Sequence, residues 1–544
     1  MFDFGKNCLR RKSKSGKRGA RGLLGVFVLF LASGLSVAQS ANPTKGGDLV
    51  VALQSPPPIL TSAFNSAGFV GVVSAKMLEG LLSYDFELNP RPALAKSWDL
   101  SEDGKTLTFN LRDNVTWHDG EPFTSEDVKF SLMNVWKELH PRGRSTFSNV
   151  SSVDTPDDHT VVIHLSEPAP AMLSAFSSYE SQVLPAHLYE GTDISTNPHN
   201  NAPVGTGPFM FDKWEKGNYI RLVRNPNYWD EGKPYLDSIV FRYIPDAGAR
   251  AAALETGEVH LSTFSPVPFS DVSRLASLDN LAIETKGYEY LSPIFLLDIN
   301  KRGEYLGNKK VRQALSHALN KEFIIDTVWY GFGKVATGPV PSTHVRYYMD
   351  DVPKYDYDPK KAEALLDEAG FPRKDGGMRF TISMDYSVFG ETYPRLAEYI
   401  KQAFKQVGVD LELRSQDIGS MIRRVFTDYD YDIMMNYWYA MPDPTMGVTR
   451  LYWSENIRKG VPFANANGYS NERMDEIIVE VQKENDENRR KALFEEFQKI
   501  AQEDVPVIDL FEMQFFTIFN KSVKDHTTGG DSVYGSFSET YIAQ

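Results

Sequence analysis

The chain is nearly without cysteine: the one thiol in 544 residues is Cys8. No disulfide can staple the rest of it. A polypeptide of this length does not need one, because it can bury a large core. Long apolar runs are missing too. The run Leu23 to Leu35 has 13 residues, against roughly 20 for a membrane-crossing helix. Positive charge is scarce. The first 38 residues hold eight basic side chains and one acidic one, leaving 50 basic against 71 acidic in the remainder. A chain this acidic is not a general nucleic-acid binder, since phosphate contacts need clustered cations. Also absent are a phosphate-binding loop, an H-E-x-x-H and a G-x-S-x-G. Gly205-Thr206-Gly207 opens like a dinucleotide fingerprint, but Pro208 follows at once and the last position is Met210. The ten histidines are scattered. His159 and His164 flank a strand with no cysteine partners, and Trp117-His118-Asp119-Gly120 reads as a structural corner. No catalytic set, metal site or cofactor is expected, and a secreted hydrolase is the least favoured reading.

What is present begins with an export signal. Lys6, Arg10, Arg11, Lys12, Lys14, Lys17, Arg18 and Arg21 form a basic region ahead of the apolar run. Ser36-Val37-Ala38 and Gln39-Ser40-Ala41 then offer cleavage after residue 38 or 41. Residues 1–38 are thus expected to be a cleaved signal peptide. No cysteine stands at either site to carry a lipid, so the mature protein is expected to be free in a periplasm, as a monomer.

From Pro203 to Ile244 the chain reads as three strands. Phe209, Phe211 and Tyr219–Val223 have aromatic and β-branched character, and Lys216-Gly217-Asn218 supplies the turn. Leu236–Ile244 resumes extended structure, and Asp246 caps a helix that Gly257 ends. Helical spacing covers Phe69–Leu82. Alternating strands near Leu107–Leu111 and Val161–Leu165 mark residues 93 to 200 as strand-rich. After about residue 290 strands alternate with helices: Asp358-Pro359 starts a helix that Gly370 ends, and Tyr393–Val407 and Ile418–Phe426 are helices. Met378–Met384, Val409–Leu413 and Asp432–Tyr439 are strands. That order implies an α/β sheet covered by helices. Pro506–Asn520 is one long extended apolar run.

The segments GTGPF and YWDEGKPYLD, the following AALETGEV, and the stretch Ala95 to Leu132 (AKSWDLSEDGKTLTFNLRDNVTWHDGEPFTSEDVKFSL) resemble the extracytoplasmic solute-binding proteins of ABC importers, in the peptide and nickel (family 5) group. The resemblance runs from about Lys45 to the C-terminus. It implies a periplasmic-binding-protein (Venus-flytrap) fold of two α/β lobes plus a strand-rich subdomain, with a hinge of two chain crossings. The implied division is 43–90, 203–290 and 508–544 for lobe I, 91–202 for its accessory subdomain and 291–507 for lobe II. It further implies capture of peptides or peptide-like solutes and their delivery to an inner-membrane permease with separate ATPase subunits. An opine, an oligosaccharide or a nickel chelate is the alternative cargo.

The stretch Met434–Met446 (MMNYWYAMPDPTM) is the foremost candidate for the ligand site. It places Tyr437, Trp438 and Tyr439 at the carboxyl end of a strand, where open α/β sheets bind ligands. Aromatic faces supply contact area and fixed orientation. Alternation must turn one of Tyr437 and Trp438 inward. If Trp438 faces the cleft, its truncation lowers affinity and leaves stability nearly unchanged. In peptide-binding relatives an aspartate about four residues before the proline matching Pro444 pairs with the peptide α-ammonium. Ala440 stands there in this chain, and Asp443 is the candidate substitute. Phe64 and Asn65 are expected on the opposite wall, with Tyr290 and Arg346 as further candidates; Arg346 could clamp a carboxylate.

Overall fold

The computed structural model describes residues 43–543. The leader, its cleavage sites and Cys8 lie outside the described residues. Two mixed sheets organise the chain, and each is built where the β-branched and aromatic runs fall. The first has the order Leu281–Glu284, Thr517–Asn520, Leu261–Ser262, Asp48–Leu53, Ser238–Tyr243, Tyr219–Arg224, Phe209–Glu215. Asp48–Leu53 pairs in parallel with Ser238–Tyr243, Val51 opposite Phe241. The last three strands form an antiparallel meander. Its first turn needs Gly217, whose φ is +78°. Asp246 caps the helix Ala247–Thr256, accepting from the Ala249 N–H at 2.7 Å.

The second sheet has the order Gly333–Val335, Val507–Met513, Pro293–Ile299, Ile433–Tyr439, Phe380–Tyr386, Val409–Ser415. Its side chains alternate between two cores. Phe295, Leu297, Ile433 and Met435 face the helices Lys309–His317, Pro359–Glu368 and Thr392–Gln406. Leu296, Met434 and Trp438 face the helices Glu472–Val481 and Glu487–Asp504. The result is a three-layer lobe. A third sheet, antiparallel throughout, has the order Ala95–Leu100, Thr106–Leu111, Thr160–Leu165, Val150–Asp157. Its buried Phe109 and Ile163 belong to the same apolar cluster as Leu49 and Val51 of the first sheet. The strand-rich segment is therefore fused to the first lobe by a continuous core.

Two expectations need correction. Phe69–Leu82 is helical over Gly68–Ser74 alone. The helix stops because the carbonyls of Lys76 and Met77 accept from the N–H groups of Phe209 and Gly207, at 3.1 and 2.9 Å. The GTGPF segment docks there so closely that a Cβ on Gly205 would lie 1.8 Å from the Met77 carbonyl oxygen. The signature thus joins two parts of the first lobe, and His118 holds it through contacts to the Gly205 N–H and the Gly207 carbonyl. Second, the run 506–520 is not one strand returning to the first lobe. Val507–Met513 pairs with Pro293–Ile299 in the second sheet, and only Thr517–Asn520 reaches the first. Pairing on both edges of Pro293–Ile299 claims the apolar residues 507–513, so the boundary lies near 514 rather than 508. The chain crosses between the sheets twice, at 285–292 and 514–516.

Candidate functional site

The two crossings place the carboxyl end of Ile433–Tyr439 against the first lobe. Tyr437 and Tyr439 share one face of the strand, with ring centroids 5.5 Å apart. Tyr439 packs on the core of the first lobe, and Met441 is buried within it. From the opposite side come Tyr179 and Tyr534, stacked at 3.9 Å and 3°. The Tyr179 hydroxyl donates to the Ser66 carbonyl at 2.6 Å. Helix Gly68–Ser74 runs directly beneath this stack: a Cβ on Gly71 would meet the Tyr179 ring at 2.6 Å and the Tyr534 ring at 2.9 Å. Phe264 touches Phe69, Tyr288 and Phe515 at centroid distances of 5.6, 5.4 and 5.2 Å. It thereby extends the aromatic wall to the second crossing. Burial, then the neighbouring Tyr437 and Tyr179 hydroxyls, raise the Tyr439 phenol well above its ordinary value.

Glu289, Lys334 and Glu512 line a cavity of about 200 Å³ at the two crossings, and two arginines lie against nearby aromatic rings. Arg142 pairs with the buried Glu180, its Nε donating at 2.8 Å, and lies 5.2 Å from the Tyr179 ring. Arg450, from the second lobe, lies over Trp438 with 4.4 Å from guanidinium carbon to ring centroid. Its side chain has no ion-pair or hydrogen-bond partner among the described residues, and its Nε is enclosed. Burial, and then the charge of Arg142, pull its pKa down to about 9.

The sequence candidates divide. Tyr437 and Tyr439 are brought together at the junction. Trp438 turns to the other face and is 6% exposed, packed edge-on to Phe463 at 5.6 Å. Its Nε1 and Asp509 Oδ1 are both unpaired, and both residues line a cavity of about 20 Å³, room for one water. Asp443 is not free to meet a ligand ammonium. Its carboxylate is clamped by Arg490 at 2.6 and 2.9 Å, with both side chains 3% exposed, and it caps the turn Pro444–Met446 through Thr445. Burial would raise its pKa, but the Arg490 charge and hydrogen bonds outweigh that and hold it below the usual carboxylate range. Tyr290 is a core residue, wholly buried against Tyr84; its hydroxyl donates to the Ser174 carbonyl at 2.5 Å. Phe64 packs on the first-lobe core, and Asn65 accepts from the Ala67 N–H at 2.9 Å ahead of helix Gly68–Ser74. Arg346 is exposed and spans the lobes weakly, 3.4 Å from Asn89 and 4.0 Å from Glu487.

Sequence reasoning missed Tyr179, Tyr534, Phe264, Arg142 and Arg450. The first four lie in segments without periodicity, distant in sequence from 437–439. Arg450 carried a usable signal, a lone cation inside the apolar run MGVTRLYW. A cavity of about 290 Å³ in the first lobe, lined in part by Ser178, Ser532 and Gly535 beside the stacked tyrosines, has a different character. Burial pushes its Glu79 and Asp531 up to about 7. Glu79 there accepts from Thr206, Tyr228 and Trp229 of the signature segments.

Two α/β lobes joined by two crossings, with aromatic rings meeting at their junction, have the architecture of a two-lobed solute-binding protein. The chain belongs to the bacterial extracellular solute-binding proteins, family 5, whose model matches residues 89–460. It is 28% identical over 516 residues to the oligopeptide-binding protein AppA of Bacillus subtilis, covering 90% of this chain and 92% of that one. It is 27% identical over 504 residues to the glutathione-binding protein GsiB of Salmonella typhimurium, covering 90% and 94%. Among solved structures, NikZ from Campylobacter jejuni in complex with Ni(L-His) superposes with a TM-score of 0.77 at 26% identity, over 91% of this chain and 99% of that one.

Proposed function

We propose that the protein is the extracytoplasmic receptor of an ABC importer. It captures peptides or peptide-like solutes between its lobes and presents them, closed, to a membrane permease whose own subunits hydrolyse ATP. The observation that carries this reading is the junction itself. Tyr437 and Tyr439 of one lobe meet Tyr179 and Tyr534 of the other across a two-crossing hinge, so a solute held there touches both lobes. A ligand shifts the open–closed balance only by binding the closed form better, and contacts from both lobes provide that difference. The relatives AppA, an oligopeptide-binding protein, and GsiB, a glutathione-binding protein, support a receptor. The basic leader, its apolar run and the small residues at 36–41 support export to a periplasm.

A second cargo class has specific support. Ala440 replaces the amine-pairing aspartate and Asp443 is already paired with Arg490, which favours solutes recognised by something other than a free α-ammonium. Opines, modified peptides and metal chelates satisfy that. Mass spectrometry of solute co-purifying with the exported protein tests both. A peptide, or a small chelate or conjugate, released on denaturation is the expected result. Release of a chemically converted product after incubation with that solute would replace the receptor reading with an enzymatic one.

A further inference from the structure

We infer that the first lobe holds a second binding site, separate from the interlobe junction, for a small organic cation that carries N–H donors: a primary ammonium or a guanidinium. Its place is the cavity of about 290 Å³. The residues that line this cavity fall within 75–93, at 178, and within 228–233 and 525–539. The first lobe alone therefore builds it. Neither the stacked rings of Tyr179 and Tyr534 nor any residue of Ile433–Tyr439 takes part in the lining. A molecule held there touches one lobe, and so differs from the solute gripped between two. The site goes beyond the receptor reading and does not depend on it.

Asp531 is the group that points to a ligand. It lines the cavity and is 8% exposed. Among the described residues no side chain donates to its carboxylate; the backbone N–H groups of Tyr84 and of Asp531 itself lie beside it. A carboxylate taken from water without a counter-charge is costly, and burial pushes Asp531 up to about 7. The surrounding groups do not supply that charge. Lys76 faces it, but the Lys76 Nζ donates to the Gly535 carbonyl and lies 4.1 Å from the Phe537 ring centroid. It makes no ion pair among the described residues. Glu289 adds negative charge beside Asp531, and burial holds His526 neutral by lowering its pKa to about 4. On another wall Glu79 is 7% exposed and takes neutral donors only. Arg112 acts on it through space, with its own Nε donating to the Ala93 carbonyl at 2.6 Å. At the mouth Lys233 is shared between Asp230 and Glu539, at 2.9 and 2.7 Å, and Arg91 is taken by Asp85 at 3.4 Å. Acids thus outnumber bases at both floor and mouth. A monocation with N–H donors restores the balance through charge-assisted hydrogen bonds to Asp531. The volume, at the lower end of ligand pockets at about 300 Å³, limits it to a few heavy atoms.

The test is calorimetric titration of the full-length mature protein, stripped of solute by unfolding and refolding. Butylammonium and methylguanidinium are the probes. The controls are tetramethylammonium, which has no N–H donor, butanol, which has no charge, and butyrate, which has the opposite one. The wild type is expected to bind both probes and none of the controls. Affinity should rise about tenfold from pH 6 to pH 8, as Asp531 loses its proton and Lys76 sheds its charge. Asp531→Asn should weaken binding at least about tenfold and reduce the pH dependence. Ala93→Leu fills the cavity wall without removing a charge and should abolish binding; it decides the matter alone if Asp531→Asn does not fold. Tyr437→Ala, at the junction, should leave binding of the probes unchanged. No binding by the wild type overturns the site and leaves a hydrated chamber. Equal binding of tetramethylammonium or butanol, or wild-type affinity in Ala93→Leu, overturns it too. Loss of binding in Tyr437→Ala puts the amine in the interlobe cleft and ends the claim of a separate site. The receptor reading stands or falls apart from these results, on the solute that co-purifies with the protein.

Discussion

Asp443→Ala separates two roles that the sequence alone leaves open. If Asp443 pairs with the ligand, its loss lowers affinity; if it pairs with Arg490, its loss lowers stability. The structure places both Asp443 oxygens on Arg490, at 2.6 and 2.9 Å, inside a wall that includes Tyr347 and Phe494. Removing one partner of such a buried pair strands the other charge, which costs about 3–5 kcal/mol. At roughly 2–4 °C per kcal/mol for a cooperative unit the size of one lobe, the melting temperature should fall by roughly 6–20 °C. The effect has a defined pH window. Asp443 is held below its unfolded value of about 3.9, so its contribution is present above that pH and is lost as the pH falls through the lower folded value. The gap between wild type and variant is therefore constant from pH 5 to 7 and closes in stronger acid. A double substitution, Asp443→Leu with Arg490→Met, should recover most of the loss, because it leaves no orphaned charge. Circular dichroism melts across pH check this. A variant that melts with the wild type but no longer binds solute would refute the reasoning.

Four further outcomes follow from the same geometry. Trp438→Ala should lose about 3–5 kcal/mol of stability, since the ring is packed in the second-lobe core rather than free in the cleft; an unchanged melting temperature would return Trp438 to a purely ligand-facing role. Gly71→Ala forces the Tyr179–Tyr534 stack off helix Gly68–Ser74 and should cost about 1–3 kcal/mol by overpacking, with weaker solute binding by titration. Lys483→Glu replaces an exposed cross-lobe ion pair with Glu167 by a repulsion; such pairs are worth at most about 1 kcal/mol, so solute affinity should fall only a few-fold and the melting temperature hardly at all. Asp531 is pushed up to about 7 by burial, against the charge of Lys76. Stability tied to its proton is present below the unfolded value of about 3.9 and lost as pH rises through about 7. Asp531→Asn should thus gain on the wild type as melts move from pH 5 to pH 8; parallel curves would contradict that.

Much of the fold was legible because local signals were redundant. Asp358, Pro359 and Gly370 bracket one helix and Asp246 and Gly257 another, each with a cap, a start and a stop. Where long-range contacts decide, local signals failed. The apolar spacing after Gly68 continued to Leu82, but the carbonyls of Lys76 and Met77 were committed to a segment 130 residues away. The break at 514–516 was invisible because strands on both sides are equally apolar. The site was legible only in part. Position 437–439 at a strand end was readable from pattern, while which of its rings faces a partner depends on register with Pro293–Ile299. Asp443 looked available because its partner Arg490 is 47 residues away, on a helix whose exposed and buried charges look alike in sequence.

Small-angle scattering of the mature protein, with and without its co-purified solute, tests the clamp most directly. The account predicts a smaller radius of gyration on solute addition, reversed when the solute is removed intact. Identical scattering in both states, or a solute recovered chemically altered, would contradict it.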